Sequence, residues 1–134
     1  EEEARRITAF VEAGGTVIAD VRPGRFTGRV EPRAAGVLDA LFGVDSSGSA
    51  EAVKKAAVEI RWGEGQPAWR FEGMTVGSGI VASGATALGR AGETPVLLSH
   101  AVGRGRAILL NFSLATYHGG APLSCGRRCW SRLA

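Results

Sequence analysis

The sequence predicts an α/β layered fold, and two segments far apart in the chain carry that expectation. The first, Phe10-Val11-Glu12-Ala13-Gly14-Gly15-Thr16-Val17-Ile18-Ala19-Asp20, reads as a helix that stops at two glycines and drops straight into a buried strand. The second, Gly103-Arg104-Gly105-Arg106-Ala107-Ile108-Leu109-Leu110-Asn111-Phe112, reads as a glycine turn feeding another buried strand. A buried strand entered directly from a helix belongs to layered α/β architectures. A third observation concerns the opening of the chain. It begins in mid-helix with no strand before it, which predicts a domain whose first elements lie upstream of Glu1.

Taken in order, Ala4, Ile7, Phe10 and Val11 recur at helical spacing and form one apolar stripe. Glu1 to Glu3 sit in the first turn, where acids suit the helix dipole. Gly14 or Gly15 can take the left-handed conformation that ends the helix. Thr16 to Val21 is short and β-branched, which predicts a central, parallel strand. Arg22-Pro23-Gly24 breaks it. Pro32 can start a second helix, with Val37, Leu38, Leu41 and Phe42 as its buried face and Gly43 as its end. Asp45 to Ser49 is a polar connection. Ala57 to Trp62, Trp69 to Val76 and Ile80 to Leu88 then read as short strands between glycine turns. Pro95 to Val102 and Arg106 to Phe112 flank Gly103-Arg104-Gly105 as a β-hairpin, with Ile108 and Leu110 on one face. The chain divides into a domain over 1–117 and an irregular tail over 118–134.

Composition narrows the function classes. The 134 residues suit one domain, and 45% are hydrophobic. Runs such as Ala107-Ile108-Leu109-Leu110 are far too short to span a bilayer, which takes about 20 residues. The opening Glu1-Glu2-Glu3 is unlike a signal peptide, and the compartment stays open. A net charge of +3 comes with acids interleaved among dispersed arginines, so a solvated surface is the expectation over a nucleic-acid footprint. Neither nucleic acid nor a membrane is expected as a partner.

The chemistry-bearing residues are few. Cys125 and Cys129 stand four apart in the tail with His118 nearby, and a zinc site needs two more ligands than they supply. Two free thiols are expected, ahead of a metal site or a disulfide, and no catalytic residue, metal or cofactor is assigned. His100 shares a strand face with Leu98 and Val102, a setting for a satisfied strand histidine rather than a general base. Glu31, Asp39 and Glu59 could be imagined as glycosidase carboxylates, but nothing fixes their separation. Two groups remain as candidates. Asp20, Arg22 and Arg25 lie in the loop beyond the first strand's carboxyl end, the edge where open α/β sheets bind ligands. Trp62, Trp69 and Phe71 could form an aromatic sugar platform, a piece of core or an interface, where tryptophan is enriched.

The two opening segments, the Arg22-Pro23-Gly24 loop and the motif Leu38-Asp39-Ala40-Leu41-Phe42-Gly43-Val44 together resemble the class I glutamine amidotransferase-like domain in its non-catalytic form. The form most similar is the β-galactosidase trimerisation domain of family 42 glycoside hydrolases. That family carries a helix–E-x-G-G-T–strand step, a D-x-L-F-G helix end and a G-[KR]-G-[KR]-A–strand hairpin, and this chain has all three in order. The resemblance covers roughly residues 1–117. It implies a flavodoxin-like three-layer fold, incomplete at the N-terminus, with a β-rich C-terminal half. It implies a non-catalytic accessory or oligomerisation domain of a larger glycoside hydrolase-like protein, which self-associates or packs on the parent's other domains. The alternative is a fragment of an active amidotransferase-type enzyme whose nucleophile lies upstream, since no strand–Gly-x-Cys-x-Gly–helix element is present.

Overall fold

The computed structural model describes residues 1–48, 53–61 and 65–116. The chain opens with helix α1 (Glu2–Glu12), whose inward face buries Val11 and part-buries Ile7. Two acids stand in its first turn, and Arg6 pairs with Glu2 one turn away. Strand β1 (Thr16–Asp20) follows directly. A single helical turn, α2 (Asp39–Phe42), ends at Gly43 in the left-handed conformation and leads into β2 (Val44–Asp45). The remainder is strand: β3 (Val53–Ile60), β4 (Trp69–Gly77), β5 (Val81–Ala82), β6 (Thr86–Ala91), β7 (Thr94–Val102) and β8 (Gly105–Leu110), then a 3-10 turn at Leu114–Thr116.

Six strands form one mixed sheet in the order β1-β8-β7-β6-β3-β4, and β2 pairs with β5 apart from it. Only β1 and β8 run parallel within this sheet, in the register Val17↔Ala107 to Asp20↔Leu110. The sheet curls. Just past β8 the chain reaches β4: Phe112 bridges Val76, the Gly77 N–H donates to the Asn111 carbonyl at 3.2 Å, and the Ser113 N–H donates to the Thr75 carbonyl at 2.9 Å. Two cores result. Inside the curl lie Val58, Ile60, Met74, Val76, Val96 and Phe112, with Ile108 and Leu110 half-buried against them. On the outer face, α1 and α2 cover Leu98, Ala107 and Leu109. Alternation along β8 therefore serves both cores, one residue in each direction.

The two segments singled out in the sequence meet in space. The hairpin between β7 and β8 turns at Gly103, where φ is 58°, and it passes against the end of α1. The Arg104 N–H donates to the Glu12 carbonyl and the Arg106 N–H to the Gly15 carbonyl, both at 3.1 Å. A Cβ at position 105 would lie 2.1 Å from the Val11 carbonyl oxygen and 2.2 Å from that of Gly15. The glycine spacing in Gly103-Arg104-Gly105 thus permits the close approach, and the backbone bonds satisfy carbonyls that a helix end leaves open.

Several expectations are corrected. The flavodoxin-like three-layer α/β fold does not form. Both helical elements lie on one face of a mostly antiparallel sheet, and on the other face the sheet curls over its own core where a second helix layer would stand. The strand Thr16 to Val21 is parallel as expected but sits at the sheet edge rather than at its centre. Thr16, Ile18 and Asp20 are exposed, while Val17 and Ala19 face the helices. The helix from Pro32 shrinks to one turn because Pro32 is used as a bridge partner of Phe26, leaving only the Asp39–Phe42 stretch to coil. The strand over Ile80 to Leu88 splits at Gly84, whose φ is 110°, so that Val81 and Ala82 pair with Asp45 and Val44 instead. The hairpin over Pro95 to Phe112 forms as read, with Ile108 and Leu110 on the curl's inner side.

Candidate functional site

The loop beyond β1 is the place to look for chemistry. It leaves the strand through Arg22, a non-glycine residue at φ 62°. Arg22 and Arg25 then line a small enclosed pocket with Asp39 and Ser46, over Phe42 and Leu109. Asp20 sits on the exposed side of β1 and does not reach this pocket. The sequence therefore placed two of its three loop candidates together and added Asp39 only as an unplaced carboxylate.

The pocket's polar atoms are engaged with one another. Asp39 Oδ2 accepts from the Gly36 N–H at 3.1 Å, from the Ser46 N–H at 3.1 Å and from Ser46 Oγ at 2.5 Å. Ser46 Oγ accepts in turn from Arg25 Nη1 at 3.2 Å and from the Gly36 N–H at 3.1 Å. Arg25 Nη1 also donates to the carbonyls of Ala34 and Ser46, each at 2.9 Å. Buried polar groups demand partners, and this network supplies them for the buried Ser46. Its chemical effect is to fix the loop, clamping residues 34–36 against β2. Next to it, the side-chain and backbone hydrogen bonds from Ser47 hold the exposed Asp45 carboxyl below its ordinary range.

Between Arg25 and Arg33 the loop forms a short hairpin arm. The Arg33 N–H donates to the Arg25 carbonyl at 2.7 Å, and the Thr27 N–H donates to the Glu31 carbonyl at 2.9 Å. Thr27 Oγ1 accepts from the N–H groups of Arg29 and Glu31, each at 3.2 Å. The sequence reading missed this arm. Its signal was present in Phe26-Thr27-Gly28-Arg29-Val30-Glu31-Pro32, a Thr-Gly turn between residues that can pair.

The other candidates are scattered. Trp69 and Phe71 lie half-buried on β4 against the curl's inner core, opposite Ile60 and Val58. Trp62 lies outside the described residues, as do His118, Cys125 and Cys129. His100 is half-buried and its Nδ1 bonds the Leu41 carbonyl at 2.9 Å, which ties β7 to the end of α2. A Cβ on Gly43 would meet its ring at 2.8 Å, so the left-handed helix stop also makes room for the histidine. Glu31 is on the arm, and Glu59 pairs with Arg61 on the sheet's exposed side at 2.7 Å. Among the described residues, no group of three His, Cys, Asp or Glu is placed to hold a metal, and no helix is long and apolar enough to cross a membrane.

Two apolar side chains stand in the open beside β1. Ile18 is 60% exposed, and Phe10, whose ring lies over Gly15, is 58% exposed. Because β1 is an edge strand among the described residues, one row of its backbone N–H and C=O groups also faces outward with no described strand beside it.

No protein-family model matches the chain, and the search of curated proteins finds no match. Solved structures do share the fold. The chain is similar to the β-galactosidase from Rahnella sp. R3, with a TM-score of 0.65 and 22% identity, over 82% of this chain and 18% of that one. It is similar to the β-galactosidase from Bacillus circulans sp. alkalophilus, with a TM-score of 0.65 and 23% identity over the same shares. A GH42 β-galactosidase from G. stearothermophilus, as a catalytic mutant, gives a TM-score of 0.64 and 19% identity over 84% of this chain and 17% of that one. The chain thus spans under a fifth of the length of these proteins. The β-galactosidase half of the resemblance read from the sequence is matched at the level of fold, whereas these three structures lend no support to the amidotransferase half.

Proposed function

We propose that this chain is a non-catalytic accessory domain of a larger glycoside hydrolase-like protein and that it works by association. The open edge of β1 carries this reading. An unpaired strand edge flanked by exposed Ile18 and Phe10 is a template for pairing with a second copy of this chain. The polar network of the loop pocket supports a structural role as well, because Asp39 and Ser46 spend their hydrogen-bonding capacity within the fold. The fold shared with part of three β-galactosidases supports the kind of parent protein.

Light scattering on the chain and on Ile18→Lys tests this, alongside an assay with a chromogenic β-galactoside. The chain is expected to self-associate, Ile18→Lys to shift it toward the monomer, and neither to release chromophore. Ile18 is exposed, so the lysine is compatible with folding. A wild-type chain that stays monomeric, or one that hydrolyses the galactoside, would refute the reading.

A further inference from the structure

The hairpin arm at 25–33 carries an apolar residue that is strained and whose side chain is mostly exposed. Val30 has φ 63°, a region that β-branched residues occupy rarely and at an energetic cost. Its side chain is 77% exposed, so burial within the chain does not offset that cost. Glycine or asparagine would fill the position without strain. Phe26, across from Pro32 in the same arm, is 43% exposed. Along the arm Arg29, Glu31 and Arg33 alternate in sign.

The chain also carries a surface of matching character. A shallow groove runs along α1 beside Val37, with Ala4, Thr8 and Ala9 in its lining and Glu1, Arg5 and Glu12 spaced along it. Its charges read minus, plus, minus where those of the arm read plus, minus, plus. Small side chains in the lining leave room for a branched one.

We infer that the arm of one copy seats Val30 and Phe26 in the α1 groove of a second copy, with Arg29 and Arg33 against Glu1 and Glu12 and Glu31 against Arg5. The inference rests on the association reading above and adds to the β1 edge a second contact surface between the same copies. Each copy offers both an arm and a groove, so one contact can be made in both directions.

Sedimentation equilibrium and melting curves on four forms of the chain test it. Val30→Gly relieves the strained φ, so its melting temperature should rise while self-association weakens at least about tenfold. A merely structural role for Val30 predicts no such split. The double variant Arg29→Glu/Arg33→Glu should associate at least about tenfold more weakly than the wild type, because its arm repels the acidic groove. Glu1→Arg/Glu12→Arg should weaken to a similar degree for the opposite reason. Mixed together, the two double variants should associate, since each arm then meets a groove of opposite sign. A monomeric wild-type chain overturns this inference together with the association reading. A wild-type chain that associates through Ile18 while all arm and groove variants associate equally well overturns this inference alone.

Discussion

Gly105→Ala is expected to destabilise the protein by about 3 kcal/mol or more, or to prevent folding, because overpacking against atoms that cannot yield lies at the costly end of its range. The added methyl would stand 2.1 Å from the Val11 carbonyl oxygen and 2.2 Å from the Gly15 carbonyl oxygen. Both belong to backbone held by the α1 end and the start of β1, so a rotamer change gives no relief. Relief would require the β7–β8 turn to lift away from α1, which breaks the Arg104-to-Glu12 and Arg106-to-Gly15 bonds. Gly28→Ala is the control. Nothing lies within 4 Å of a Cβ there, and the substitution should be near neutral. Urea unfolding of both variants checks the pair, and equal midpoints would contradict the packing described.

Asn111→Asp carries the second large effect. Asn111 is fully buried, and its Nδ2 donates to the Gly77 carbonyl at 2.9 Å and to the Pro95 carbonyl at 3.0 Å. These bonds tie β4 and β7 to the end of β8 where the curl closes. Its Oδ1 has no hydrogen-bond partner. An aspartate would offer acceptors to two acceptors and bury a charge. Losing the bonds and leaving two carbonyls unsatisfied costs about 2–5 kcal/mol at neutral pH. Burial disfavours the charged form and pushes that carboxyl up in the folded state. The folded protein then binds the proton more tightly than the unfolded chain, so the variant retains more stability in acid. It loses that stability as pH rises through the raised value. Melting curves across pH, divided by those of the wild type, should show this slope. A flat ratio would mean that position 111 opens to water.

Local signals were well read and the global assembly was not. The α1-to-β1 step, the glycine-turned hairpin and the helix stop at Gly43 were each legible, because each depends on a few adjacent residues whose conformation is dictated locally. The layer arrangement depends on which strand lies beside which, and residues 53–102 carry no local mark of that choice. Thr16-Val17-Ile18 reads the same at an edge as at a centre, since β-branched side chains suit both. Pro32 fits both a helix start and an extended bridge, and the pairing with Phe26 decided for the latter. At the loop pocket, Arg22 and Arg25 were singled out because they follow a strand's carboxyl end, and both line the pocket. Ser46 was passed over because a serine in a polar run looks like any linker residue until its partners Asp39 and Arg25 are brought together.

The claim at the centre of this account is that β1 is a docking edge, and amide hydrogen exchange on the chain in dilute and in concentrated solution tests it most directly. The outward-facing amides within Thr16 to Asp20 should become more protected as concentration rises, while the interior strands β7 and β8 exchange alike in both. Exchange across β1 that is fast and independent of concentration would contradict it.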